Sequence, residues 1–426
     1  MKKKLLGLFL VASLALAPRL SSADQLVDIA QKAGYKEATE TYRPKSSLLI
    51  DANTGDILWQ DNIDEVRDPA SMSKAMSLYL VFDALSKGEI KEDTVITAKP
   101  TDEAIANIYE ISNNKIVSGV KYTVSELITM TAVPSSNAAT VMLANYLSDN
   151  DPDKRIDRMN DKSKELGMTN TKWYNASGAG AASYKGYYTP KRYDNNHSSQ
   201  TTARDLSIMA YHLIKHHPEI LKYTSQQTVT VKKGTPYEET FENYNYSLPG
   251  ADYGLKGVDG LKTGSSPRGD YNYISTCKRG NQRVISVILG VGNWEDESSE
   301  KIRHAFGNSL IEKMFEDYSY KKVLSKGKQK IDGIKYDVQK DVYATVKKGQ
   351  EPKIKASTVK ATKIGFFLFS GGQKEKQTSN KQNFMKHFAL FCFLLLPLYV
   401  VYLIYINEKK RRQKVKERRQ ARQINN

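Results

Sequence analysis

Two apolar segments, one near each end, constrain this chain before any other feature does. Phe388 to Ile406 runs nineteen residues without a charge, close to the ~20 that a helix needs to cross a hydrocarbon core. It is apolar all round, which fits a membrane span better than an interfacial or core helix. From Asn407 the chain is basic, with nine Lys or Arg against Glu408 and Glu417, which marks that side as cytoplasmic. Met1 to Ala23 reads as a secretory signal. Lys2, Lys3 and Lys4 form its positive start, and the apolar run Leu5 to Ala17 is too short to span. Ser21-Ser22-Ala23 offers small residues before a cut. The expectation is a single-pass protein of the cell membrane, with residues 24–387 outside the cell and 407–426 as a cytoplasmic tail.

This topology explains most of the net charge of +17. The tail carries +7 and the signal segment +4, leaving +6 on the exposed part. Nothing here argues for a nucleic-acid partner. Of the two cysteines, Cys392 lies in the apolar segment and Cys277 in the exposed part. They cannot pair, so the exported part must hold together by its core. No Cys/His cluster has zinc spacing, and neither metal nor cofactor is expected. His216-His217 reads as a solvated helix end.

Residues 46–60 predict a β-hairpin around Asn53-Thr54-Gly55-Asp56. A helix is expected from Asp68-Pro69 to Leu85, because Asp caps well and Pro suits the first helical position. Its sequence is apolar on nearly every side, as in a buried central helix. Thr123 and Glu126 have capping-box spacing, and Pro134 divides two further helices before Leu147. Another helix is expected over 201–215, long loops over 174–196, and strands near Lys262, at 271–277 and at 283–291. From 319 to about 370 the composition changes, and 341–346 alternates as in a small β domain. Residues 371–387 form a polar linker.

Three clusters could carry chemistry. In Ser71-x-x-Lys74 the two side chains share one helix face, and a serine hydroxyl needs an adjacent base. Ser71 also falls in a first helical turn, where free N–H groups favour developing negative charge. Taken alone the pattern is weak, because it recurs by chance in many helices. Ser135-x-Asn137 follows Pro134 at a turn, where a hydroxyl and an amide can point into a cleft, though taken alone plain helix capping is the better explanation. Lys262-Thr263-Gly264 lies on a strand, and Gly264 would let a substrate backbone come close. A solvated lysine at a strand end is the plainer alternative.

Together the three are far more specific. Their order and contexts form a signature shared by penicillin-binding proteins and class A β-lactamases. The chain resembles the low-molecular-mass penicillin-binding proteins of D-alanyl-D-alanine carboxypeptidase type (peptidase S11). LLIDANTGDILW, DPASMSKAMS, VPSSNAA, TTARDLSIMA and VDGLKTGSS all carry the likeness.

The resemblance implies an α+β fold. A β-lactamase/transpeptidase-like catalytic domain, with a mixed sheet and a helical cluster, would occupy 24–318. A small all-β domain over 319–370 and a transmembrane helix over 388–406 would follow. It implies that Ser71 attacks the penultimate D-alanine of a peptidoglycan pentapeptide stem, with Lys74 as base and Ser135 as proton relay. Asn137, Lys262, Thr263, Gly264 and Ser265 would bind substrate, and β-lactams would acylate Ser71. The backbone N–H groups of Ser71 and Ser265 would form the oxyanion hole. A β-lactamase would usually carry Glu-x-x-Leu-Asn between the second and third motifs, and Glu165-Leu166 does not match. A transpeptidase or endopeptidase on the same site remains open, as does a non-catalytic wall-binding scaffold, against which the five intact motif side chains speak.

Overall fold

A computed structural model describes residues 22–350, apart from 332–333 and 339–340. The signal-like segment to Ser21, the linker, the span Phe388 to Ile406 and the basic tail lie outside the described residues. Among the described residues no helix is long and apolar enough to cross a membrane.

In chain order, α1 (Ser22–Lys32) precedes β1 (Ser46–Asp51) and β2 (Ile57–Asp61). A 3-10 turn (Ala70–Met72) runs into α2 (Ser73–Ser86), followed by β3 (Val95–Thr97), α3 (Pro100–Ala106) and β4 (Lys121–Thr123). Helices α4 (Val124–Ala132), α5 (Asn137–Leu147) and α6 (Pro152–Leu166) come next. After a long loop come α7 (Ala203–His216), the short α8 (Leu221–Thr224), β5 (Thr228–Val231) and β6 (Glu239–Glu242). Three long strands, β7 (Val258–Ser266), β8 (Asp270–Arg279) and β9 (Gln282–Val291), lead into α9 (Ser298–Asp317). The described part closes with β10 (Tyr318–Leu324), β11 (Gly327–Ile331), β12 (Ile334–Val338) and β13 (Val342–Lys347).

The central sheet is antiparallel, in the order β2-β1-β9-β8-β7. The expected hairpin is its β1–β2 edge. Buried Tyr273, Val284 and Ile288 pack with Phe306, Leu310 and Ile311 of α9 and Leu26 of α1. The second layer is the helical cluster, with α2 at its centre. Every residue of α2 from Ser73 to Phe82 is buried, as its all-round apolar sequence predicts. Thr123 and Glu126 form the expected capping box at α4.

Two local expectations are corrected. The segment after Asp68-Pro69 starts as a 3-10 turn rather than an α-helix. Asp68 Oδ1 accepts the Ala70 N–H at 2.8 Å, and Ala70 adopts φ +48°, a conformation that costs a non-glycine residue about 1 kcal/mol or more. His217 is not solvated: it is buried, with Nε2 2.8 Å from Asp83 Oδ1. Helices α1, α6 and α9 have no counterpart in the sequence reading.

The β-rich segment is joined to the catalytic sheet through polar contacts. Gln282 Nε2 donates to Thr345 Oγ1 at 2.7 Å, and Thr345 Oγ1 donates to Asp51 Oδ2. Its described apolar cluster is small: Leu324, Val338 and Val342, with Val323 against it.

Candidate active site

The 3-10 turn, the α4–α5 turn and β7 bring the three sequence clusters to one cleft. β7 is an edge strand of the sheet, so part of its backbone is left unpaired by other strands. It packs directly against the turn that carries Ser71. Gly264 makes that approach possible: a Cβ there would meet Pro69 O at 2.6 Å and Met72 N at 2.9 Å. The room that glycine leaves is therefore filled by this chain's own backbone, not by a substrate as the sequence suggested.

Lys74 is fully buried. Its Nζ is 2.9 Å from Ser71 Oγ, 2.9 Å from Asn137 Oδ1 and 3.0 Å from the Ser177 carbonyl oxygen. Burial first, and the charge of Lys262 second, hold its amine well below an ordinary lysine. A neutral amine has two N–H donors and one lone pair. Asn137 Oδ1 and Ser177 O can only accept, so they take the two hydrogens. The lone pair is then left facing the Ser71 hydroxyl, the arrangement a general base requires. The Asn137 orientation is fixed independently, because its Nδ2 donates to Ser112 O at 2.8 Å.

Ser135 adopts φ +61° and is 4% exposed. Its Oγ has no hydrogen-bond partner among the described residues, so it is not joined to Lys74. Ser136 caps α5 by accepting the Ala139 N–H. Lys262 and Thr263 are both buried, which removes the solvated-lysine reading. Lys262 Nζ donates to Thr263 O at 3.1 Å. Burial, followed by the charge of Arg303, pushes Lys262 down to about 7. Ser265 Oγ accepts from Arg303 Nη1 at 2.8 Å, which leaves the Ser265 hydroxyl proton free to donate.

The sequence reading missed four contributors. Arg303 sits fully buried on α9 and adds a cation beside Lys262 and Ser265. An arginine on an otherwise buried helix face was the available signal. Ser177 supplies the carbonyl that holds Lys74. Gly178 has φ +96°, and a Cβ there would lie 1.9 Å from Ala70 O, so only glycine lets this loop close over the Ser71 turn. Tyr184 OH hydrogen-bonds Ser177 Oγ and reaches Asn137 Oδ1 at 3.5 Å. Glu165 stands apart from the cleft-side contacts, pairing at the surface with Lys162 at 2.8 Å.

A serine, a buried lysine whose amine is held well below the ordinary range, and further buried basic side chains define a site suited to serine acyl transfer. Residues 32–293 match the D-alanyl-D-alanine carboxypeptidase family, peptidase S11, and the chain belongs to that family. Residues 320–363 match a domain of unknown function. The chain is 29% identical over 333 residues to the D-alanyl-D-alanine carboxypeptidase DacF of Bacillus subtilis, covering 76% of this chain and 77% of the relative. It is 27% identical over 326 residues to DacA of Escherichia coli, covering 74% and 73%. A peptidoglycan synthesis regulatory factor (PBP3) of Streptococcus pneumoniae superposes with a TM-score of 0.65 at 25% identity, covering 73% of this chain and 85% of that one. The ampicillin-bound penicillin-binding protein D2 of Listeria monocytogenes matches at a TM-score of 0.50 and 28% identity, covering 63% and 96%.

Proposed function

We propose that this protein removes the terminal D-alanine from peptidoglycan pentapeptide stems through an acyl-enzyme on Ser71, and that β-lactams acylate the same residue. The observation that carries the reading is the stripped, carboxylate-free surrounding of Lys74, 2.9 Å from Ser71 Oγ. Ser71 Oγ attacks the carbonyl carbon of the penultimate D-alanine while its proton passes to Lys74. The backbone N–H groups of Ser71 and Ser265 hold the oxyanion; removing one such donor typically costs ~3 kcal/mol in the barrier. Ser135 carries a proton to the departing nitrogen, the C–N bond breaks, and D-alanine leaves. Water then hydrolyses the ester. One Asn137 Nδ2 hydrogen bonds Ser112 O, and the other serves the substrate's peptide carbonyl. Lys262, Thr263, Ser265 and Arg303 receive the terminal carboxylate.

The test is free D-alanine, assayed after incubation of the ectodomain with a D-Ala-D-Ala pentapeptide, alongside penicillin consumption. D-alanine release with slow penicillin turnover is expected. Fast penicillin hydrolysis without D-alanine release would overturn the reading in favour of a β-lactamase.

The same proposal includes a membrane anchor. Peptidoglycan lies outside the membrane, and the charge-free Phe388 to Ile406 followed by nine basic residues would keep an exported enzyme beside it. The small β domain and the linker 371–387 would then act as a spacer. Protease added to wall-stripped cells should remove the ectodomain and spare a tag after Asn426. Cleavage of the tag in unbroken cells would contradict the span.

A further inference from the structure

The Arg303 guanidinium is held at Nη1, Nη2 and Nε, and only the first of these contacts belongs to the cleft. Nη1 donates to Ser265 Oγ at 2.8 Å. Nη2 stands 3.5 Å from Glu300 Oε1, one turn back on α9. Nε donates to Nε2 of the next residue, His304, at 3.4 Å. A guanidinium is a rigid planar fork, so the contacts behind the cleft set the plane in which Nη1 meets Ser265.

The surroundings of His304 suit that task. Its ring is fully buried, with the rings of Tyr273, Tyr246 and Tyr253 centred 4.3, 5.5 and 6.2 Å away. Burial first, and the charge of Arg303 second, hold it well below the ordinary histidine range, against the opposing effect of the Tyr244 backbone. A neutral imidazole has one bare nitrogen and one N–H. Nε2 accepts from Arg303, so the proton sits on Nδ1, where Ser247 Oγ receives it at 3.0 Å. The loop that carries Ser247 is itself pinned. Asn245 Oδ1 accepts from Ser247 N at 3.2 Å and from Tyr273 OH at 2.5 Å. Asn245 Nδ2 donates to Gly260 O at 3.2 Å. The contacts therefore leave β7 at Ser265 and return to it at Gly260. A ring that only filled this space would need neither nitrogen, and burying an unpaired one is costly; here both are paired, and one of them points along the route to the cleft.

We propose that His304 is a positioning residue for the carboxypeptidase reaction: through Nε2 it fixes the Arg303 guanidinium, and through Arg303 the Ser265 hydroxyl, in the orientation that receives the substrate's terminal carboxylate. The inference rests on the carboxypeptidase reading and deepens it. His304 acts through Arg303 rather than on the substrate, so it governs how well a carboxylate is recognised and not the attack by Ser71.

The probes are N-benzoyl-D-alanyl thioglycolate and its methyl ester, which deliver the same acyl group to Ser71 and differ in the terminal carboxylate. Thiol release gives kcat/KM for each, and the ratio of the two measures carboxylate recognition. Two variants separate the ring nitrogens. In His304→Gln the side-chain oxygen reaches the place of Nε2 and can accept from Arg303. In His304→Asn the amide reaches only the place of Nδ1, so Ser247 keeps a partner and Arg303 loses one. Both leave the space among the tyrosines partly unfilled, so a packing role would affect both alike. The ratio should fall roughly tenfold in His304→Asn, mostly through KM of the carboxylate probe, and stay within about twofold of wild type in His304→Gln. Equal ratios in the two variants overturn the positioning role and leave the activity standing. Calorimetry reports whether each variant is folded. Should either fail to fold, the 15N spectrum of the wild-type His304 ring decides: a neutral ring protonated on Nδ1 supports the contact, and one protonated on Nε2 overturns it. Failure of the wild-type enzyme to release D-alanine from the pentapeptide overturns the activity, and the positioning role with it.

Discussion

Lys74 and Lys262 are buried, and among the described residues no carboxylate lies within 4 Å of either. On the β10–β13 pair the same residue type behaves differently. The Lys322 side chain is 46% exposed and pairs with Asp341 at 3.3 Å, and Lys347 faces solvent. An exposed pair of this kind contributes little to stability, about 0–1 kcal/mol. A buried lysine without a counter-charge is costly, and it answers by giving up its proton more readily. The cleft thus places amines that only neutral partners hold, at the cost of desolvation, which points to a chemical rather than a purely structural role. The β-rich segment carries no such group among its described residues.

The largest effect expected from this contrast is at Lys74. Lys74→Met should slow acylation of Ser71 by about 10³-fold or more, since the base is gone. The melting temperature should change little, because relief of the desolvated amine offsets the loss of the donor to Asn137 Oδ1 and Ser177 O. Stopped-flow acylation and calorimetry check both halves, and a large loss of stability would mean that the lysine is structural. Next comes the loop that closes on the Ser71 turn. Gly178→Ala should destabilise the domain by about 2 kcal/mol or more, because φ +96° and a backbone oxygen 1.9 Å from the new Cβ act together. Urea unfolding measures it.

A subtler effect concerns pH. In the proposed reaction Lys262 binds the substrate carboxylate as a cation, and burial holds its amine at about 7. As pH rises through that value the amine turns neutral, so kcat/KM should fall above about 7. A bound carboxylate favours the cation, so kcat should hold to higher pH. A kcat/KM profile flat from 7 to 9 would remove the role. The smallest effect is the control from the other region. Lys347→Ala should shift stability by no more than about 0.5 kcal/mol and leave D-alanine release unaltered. A large change in either would erase the distinction between the two regions.

Much of this contrast was legible in the sequence. The β1–β2 hairpin, the buried α2 and the Thr123–Glu126 capping box follow from periodicity and turn chemistry alone. The three clusters were legible as a set and not singly, since no single one excludes an ordinary cap or a solvated lysine. What stayed hidden was set by distant packing. Arg303 and Ser177 lie 38 and 103 residues from the partners through which they act, Ser265 Oγ and Lys74 Nζ, separations that no local pattern reads. The 3-10 start at Ala70 depends on the approach of β7 and of Gly178, neither of which is encoded near Ser71. Gly264 was read as room for substrate because a sequence does not show which backbone fills a gap.

The central claim is that Ser71, activated by a neutral Lys74, is the group that becomes acylated. Intact-mass analysis of the ectodomain with benzylpenicillin tests it most directly. The account predicts a single adduct, mapped by peptide digestion to Ser71, and none in Ser71→Ala. An adduct of the same mass in Ser71→Ala would contradict it.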